Sequence, residues 1–178
     1  MTEAVDIAKC AADLAESELF QDLDQEQREM IAQLCELVTL EHGDRFSKEG
    51  ETAEWFYILL EGRVSLSMKF ELPHMERTVS EDRTLTTLDA TDNPVLGETA
   101  LVGQTTRSTT MRCVRDAKLY RIQAHDMLAL MQMDPLIGFF VFKRLSGRLY
   151  ARLRGANQDV VKLSSALVYA LEERMGGQ

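Results

Sequence analysis

The segment Gly97–Thr109, GETALVGQTTRST, sets one carboxylate, Glu98, nine residues before one guanidinium, Arg107. Small apolar residues, Ala100, Leu101 and Val102, and the loop-forming Gly103-Gln104-Thr105-Thr106 lie between them. A short helix starting near Glu98 would present free backbone N–H groups at its N-terminus, which suit an anion. Gly97 lets the backbone approach a ligand closely. Arg107 supplies a planar fork of donors that matches phosphate oxygens. Glu98 would repel a phosphate but can accept hydrogen bonds from a hydroxyl. The segment therefore reads as a clamp for a sugar phosphate. A ligand-free surface Glu–Arg pair accounts for the same residue types equally well.

The elements that must position such a clamp follow from the rest of the chain. Its 178 residues are long enough for one domain with a sizeable core and some flanking helix. The first third has helical spacing, with Val5, Ala8, Ala12 and Ala15, then Leu19 and Leu23. A second helix is predicted from Gln25 to about Leu37, with Asp24 as N-cap. The acidic residues of this region read as a solvated helix face. From Val38 to Ile122, short β-branched and aromatic runs alternate with turn signals. Trp55–Leu60 (WFYILL) reads as a buried strand, and Glu61-Gly62 as a tight hairpin turn into Arg63–Met68. Further strands are predicted near 78–88, 108–114 and 117–122. The segment Glu71–Arg83 reads as an exposed hairpin end, where Pro73 disfavours a central strand. Helix returns after Ala124, stops near Asp134 and restarts with Pro135 in its first turn. Leu145, Leu149 and Leu153 form an apolar seam flanked by Arg144, Arg148 and Arg152. Gly155 is predicted to weaken the helix before a last amphipathic segment, which ends at Met175-Gly176-Gly177.

Other chemistries lack their residues. His42, His74 and His125 are scattered, without the His-x-His of a metal-dependent jelly roll. Cys10, Cys35 and Cys113 are odd in number and widely spaced, so they read as reduced thiols rather than a disulfide, cluster or zinc set. No Ser-His-Asp or Cys-His nucleophile set stands out. Met127, Met131 and Met133 read as core filler. A net charge of −9 disfavours general affinity for nucleic acid or anionic membrane. No apolar run reaches the roughly 18–20 residues of a membrane span. The acidic N-terminus lacks a signal peptide's basic start, so the expected location is cytoplasmic.

Two blocks then carry a resemblance. Gly97-Glu98-Thr99-Ala100-Leu101 with Arg107-Ser108 resembles the phosphate-binding cassette of the cyclic nucleotide-binding domain family, which includes catabolite activator proteins and protein kinase A regulatory subunits. Gly43-Asp44-Arg45-Phe46, Gly50 and Tyr57-Ile58-Leu59-Leu60-Glu61-Gly62-Arg63-Val64 match the family's second block, in the right order. The resemblance spans about Leu19 to Leu153. It implies a mainly β fold with flanking helices (α+β), an eight-stranded jelly-roll barrel with N-terminal helices and a long C-terminal helix. It implies that Glu98 binds the ribose 2′-hydroxyl and Arg107 the cyclic phosphate, helped by backbone N–H groups near Ala100 and Ser108. The implied ligand set is Gly97, Glu98, Thr99, Ala100, Arg107, Ser108 and Thr109, with no metal. Three positions depart from the family pattern. Thr109 replaces a small Ala, Leu96 a common Phe, and Asp92-Asn93-Pro94 the usual Gly-Asp approach to the cassette.

The expected organisation is N-terminal helices over 1–37, the jelly roll over 38–123 and C-terminal helices over 124–178. The expected function is a non-enzymatic, stand-alone receptor for cAMP, or cGMP, that relays binding through its C-terminal helix to an effector protein. Ser108, rather than the Thr common in cGMP binders, favours cAMP. The residue capping the purine is placed between Leu149 and Asn157. The leucine seam predicts a homodimer. The residues after Gly155 read as one helix, too few for a helix-turn-helix, so DNA is not an expected partner. The rival reading is a ligand-free domain of the same fold that acts as a protein interaction module.

Overall fold

Two long, bent antiparallel strands organise the protein. The computed structural model describes residues 2–3, 5–74, 77–91, 93–103 and 106–176. Its strands are β1 (Thr2–Glu3), β2 (Glu36–Leu40), β3 (Arg45–Ser47), β4 (Trp55–His74), β5 (Arg77–Asp89), β6 (Val95–Leu96) and β7 (Thr110–Gln123). Its α-helices are α1 (Ile7–Glu16), α2 (Gln25–Ala32), α3 (Ala124–Met133) and α4 (Pro135–Gly176). The sheet runs β1-β2-β7-β4-β5, with β3 added to β7 and β6 to β4. This is the expected antiparallel, jelly-roll-like sheet with flanking helices. It differs in detail: seven strands are described rather than eight, and the sheet stays open between β1 and β5.

The strand count falls because β4 and β7 each do the work of two expected strands. The hairpin turn expected at Glu61-Gly62 is a bulge inside β4. Its register against β7 shifts at Leu59/Glu61, Glu61/Arg63 and Arg63/Val64. Gly62 has φ +93°, and a Cβ there would run into the Asp116 carbonyl and lie 2.6 Å from the Ala117 Cα. The glycine therefore lets β4 bend against β7 without ending. The two strands expected at 108–114 and 117–122 are correspondingly one, β7. β4 pairs with β7 as far as Ser67 and thereafter only with β5, so Pro73 lies in a two-stranded ribbon. Met75 and Glu76 at the expected hairpin end lie outside the described residues, as do Asp92, Gln104, Thr105 and Gly177.

The continuous apolar run of β4 is explained by burial on both faces. Tyr57, Leu59 and Val64 join Leu40, Leu96, Met111, Cys113, Ala117 and Leu119 in the interior of the roll. Phe56 and Ile58 alternate with them and are also fully buried. On β7, Tyr120 points to the helical side, where its hydroxyl donates to the Asp13 carboxylate of α1 at 2.9 Å. Burial, together with that carboxylate, pushes the Tyr120 phenol well above its ordinary pKa. Asp13 is thus a structural acceptor rather than part of a solvated face. The three cysteines are buried and unbridged. Cys10 and Cys35 are in thiol–thiol contact, and this contact with burial raises the Cys35 pKa.

Asp24 caps α2 as expected. Its carboxylate accepts from Gln27 N at 2.8 Å, while the Gln27 side chain accepts from Asp24 N at 3.2 Å, closing a capping box. Asp24→Ala should cost about 0.5–2 kcal/mol, read as a lower urea midpoint with unchanged slope. The helix is shorter than the spacing predicts. Glu36 and Leu37 join Val38–Leu40 in pairing with Ala117–Arg121 of β7, so tertiary pairing overrides the local helical pattern at those two residues.

By contacts, the chain divides into units Met1–Val141 and Phe142–Gln178. The second unit is the greater part of α4. Gly155, predicted to weaken the helix, does not interrupt it, and the helix runs on to Gly176. A single glycine costs only about 1 kcal/mol in a helix this long. The leucine seam is also redrawn. Leu145 is buried and Leu149 half-buried, whereas Leu153, Val160, Leu163 and Leu167 are exposed. No helix among the described residues is long and apolar enough to cross a membrane.

Candidate functional site

The Gly97–Thr109 segment is built around one tight turn. Gly97 takes a left-handed conformation, φ +72°, and starts a 3-10 helix, Glu98–Val102. Gly103 closes that helix at φ +83°, with its N–H bonded to the Thr99 carbonyl. The element is thus a 3-10 rather than an α-helical turn, anchored by buried Ala100 and Leu101. Glu98 is 2% exposed, an unusual depth for a carboxylate.

Arg107 arrives from the other side of the loop. Its backbone is clipped to the 49–52 segment: Arg107 N donates to Glu51 O at 2.8 Å, and Gly50 N to Arg107 O at 2.9 Å. A bridge between Thr52 and Thr106 continues the pairing. Arg107 is 7% exposed, and its side chain reaches back over Gly97, where a Cβ would collide with Nη1. Glycine is therefore required there twice, for its φ and for the guanidinium above it. Arg107 Nη2 donates to the Trp55 carbonyl, and the guanidinium carbon lies 5.6 Å from the Tyr57 ring centroid. Nη1 is buried and finds no hydrogen-bond partner among the described residues. An arginine cannot shed its charge to escape burial. A buried donor of this kind is costly unless something pairs with it.

The expected site residues separate into three groups. Gly97, Glu98, Thr99 and Ala100 lie on the turn, and Arg107 folds against it. Ser108 is exposed and Thr109 half-buried in the short run into β7. Leu96 packs in the interior cluster and pairs with Tyr57. Asn93, in the departing approach loop, sits at φ +42° and donates its side-chain amide to the Asp13 carbonyl at 2.9 Å. That loop is therefore tied to α1.

Several residues around the clamp escaped the sequence reading. The backbone clip at Glu49–Thr52 left no signal beyond Gly50. Trp55 read only as a strand residue, although its carbonyl holds Arg107. Tyr57 lies in the second family block but carried no assigned role. Its hydroxyl donates to Phe46 O at 3.3 Å, and burial raises its pKa while Arg107 and Arg121 pull the other way. Among the described residues, no group of three metal-binding side chains occurs.

Comparison with known proteins identifies the family and the fold. Residues 37–134, more than half of the chain, match the family described as cyclic nucleotide-binding domain. Among solved structures, Thermus thermophilus catabolite activator protein is similar at 26% identity and TM-score 0.67, over 83% of this chain and 63% of that one. A cyclic nucleotide-binding domain from Methylobacillus flagellatus gives 16% identity and TM-score 0.68, over 87% and 82%. The regulatory domain of Toxoplasma gondii PKA, co-crystallised with cAMP, gives 18% identity and TM-score 0.64, over 79% and 50%. The chain thus spans less than two thirds of the Thermus protein and half of the Toxoplasma one. No curated protein sequence matches it. With the family's pattern matched through β2 to α3 and the same fold around it, this chain belongs to the cyclic nucleotide-binding domain family.

Proposed function

We propose that the chain is a non-enzymatic cyclic nucleotide receptor, with cAMP preferred to cGMP, that passes binding through α4 to an effector protein. The carrying observation is the buried Arg107, whose Nη1 has no hydrogen-bond partner among the described residues, directly above Gly97. A cyclic phosphate supplies the anion that such a guanidinium requires. Glu98 on the same turn takes the ribose 2′-hydroxyl, with Thr99, Ala100, Ser108 and Thr109 lining the ligand. Family membership supports the ligand class, and the three buried, unbridged thiols suit a reducing, cytoplasmic setting. Binding shifts the population of α4 positions rather than creating a new state.

Calorimetric titration with cAMP and cGMP tests the reading. The expected result is saturable binding of both, with cAMP tighter, because Ser108 lacks the reach of the Thr typical of cGMP binders. A flat titration with both nucleotides would favour the ligand-free interaction module. Assembly is a further part of the proposal. Leu153, Val160, Leu163 and Leu167 are exposed at steps of seven, three and four, the spacing of a coiled-coil seam. A homodimer through α4 is expected, seen by light scattering at micromolar concentration. Leu163→Glu should return it to monomer without altering the sheet's circular dichroism.

A further inference from the structure

The guanidinium of Arg107 donates to the backbone carbonyl of a tryptophan whose ring lies under a second arginine. Trp55, the first residue of β4, accepts from Arg107 Nη2 through its backbone oxygen. Its indole ring lies under the Arg121 guanidinium of β7, 4.4 Å from guanidinium carbon to ring centroid. Arg121 is gripped from the far side by Glu36 of β2, with Nε and Nη2 at 2.8 and 2.6 Å from the same oxygen. This pair is only partly exposed, at 33% and 39% of the side chains. Arg121 also stands opposite Tyr57 in the β4–β7 register, and Tyr57 is the ring that Arg107 covers. Three strands thus contribute a line of contacts that ends at the clamp: Glu36, Arg121, Trp55, Arg107.

We propose that Arg121, neutralised and oriented by Glu36, is a positioning residue for nucleotide binding, acting through the Trp55 ring on the carbonyl that holds Arg107. The proposal rests on the reading of Arg107 as the phosphate ligand. Its physical basis is preorganisation. A long arginine side chain has many rotamers, and affinity is lost whenever it must be ordered at the moment of binding. A stacked indole at the strand end fixes the peptide plane beside it, so the guanidinium waits in one place. Glu36 has a second effect. The two guanidinium groups lie over rings two residues apart on β4, Arg121 over Trp55 and Arg107 over Tyr57, and the carboxylate offsets their mutual repulsion.

The test uses the full chain carrying Arg121→Met, which keeps the aliphatic stem and removes the guanidinium, and Glu36→Gln. Folding is checked by thermal unfolding, and cAMP affinity is read by calorimetry. Arg121→Met should weaken cAMP about 3- to 30-fold, the range of a partly desolvated cation–π contact, and Glu36→Gln less, in the same direction. Each substitution is repeated in an Arg107→Lys background, which keeps a charge but loses the fork. There the Arg121 effect should largely vanish, because its route to the phosphate is gone. Equal losses in both backgrounds, or wild-type affinity in folded Arg121→Met, would overturn the proposal. If Arg121→Met does not fold, Glu36→Gln decides by the same criteria. Wild-type protein that binds neither cAMP nor cGMP would instead refute the clamp itself, and this proposal with it.

Discussion

Arg107→Ala should weaken cAMP binding by about 2–5 kcal/mol, the loss typical when one partner of a buried charge pair is truncated. The direction follows from the site. Arg107 is 7% exposed, and its guanidinium lies over Gly97 with the Trp55 carbonyl and the Tyr57 ring beside it among the described residues. Removing it leaves the phosphate without a charged partner. The variant should fold, because no described strand pairing depends on the Arg107 side chain. Its stability should even rise slightly in the absence of nucleotide, since a buried cation with an unpaired donor is removed. That opposite sign in binding and in stability separates a ligand residue from a packing residue. Glu98→Gln should cost less, about 1–3 kcal/mol of binding, because a hydroxyl can still donate to the remaining amide oxygen. Calorimetry gives the first quantity and urea unfolding the second. Equal cAMP binding by wild type and Arg107→Ala would remove the site assignment.

Gly62→Ala should lower folding stability by about 2–5 kcal/mol. Part is the left-handed backbone, about 1–2 kcal/mol for a residue with a Cβ. The rest is overpacking, typically about 1–3 kcal/mol, because the new methyl meets backbone rather than a yielding side chain. Its neighbours would be the Asp116 carbonyl and the Ala117 Cα and Cβ, at the point where β7 answers the bend of β4. Asp116 is itself fixed, accepting from His42 N at 2.8 Å. The loss should appear as a lower urea midpoint, with the nucleotide affinity of the remaining folded fraction little changed. Gly43→Ala is the control: it shares a positive φ, +96°, but nothing lies within 4 Å of its Cβ, so only the backbone cost applies. Equal losses at the two positions would show that conformation, not the close approach of β7, sets the requirement.

The local elements of this protein were legible where one short stretch carried its own reason. The Asp24 cap, the Trp55–Leu60 strand, the start of helix at Ala124 and the restart at Pro135 each follow from adjacent residues. The clamp is a different case: a Gly-Glu turn and an arginine nine residues on supply the groups for a sugar phosphate, but those residue types alone suit a ligand-free ion pair equally well, and only the family resemblance favours the clamp. What adjacency does not encode is how distant segments meet. Gly62 has the same local signature as a hairpin glycine, and only the presence of Asp116 and Ala117 across the strand makes it a bulge. Glu36 and Leu37 continue the helical spacing of α2 until β7 offers them partners. Asp13 and Glu36 look like two more charges on an acidic surface, yet one receives the Tyr120 hydroxyl and the other the Arg121 guanidinium, 107 and 85 residues away.

The sequence by itself determined the chemical groups of the site and the order of its elements, because residue type and short-range spacing fix hydrogen-bonding capacity and local backbone preference. The tertiary structure alone decided which carbonyl accepts from Arg107, which arginine lies over the Trp55 ring and where the register of the long strands shifts. Those are contacts between segments far apart in the chain, and their geometry exists only once the sheet has closed the distance.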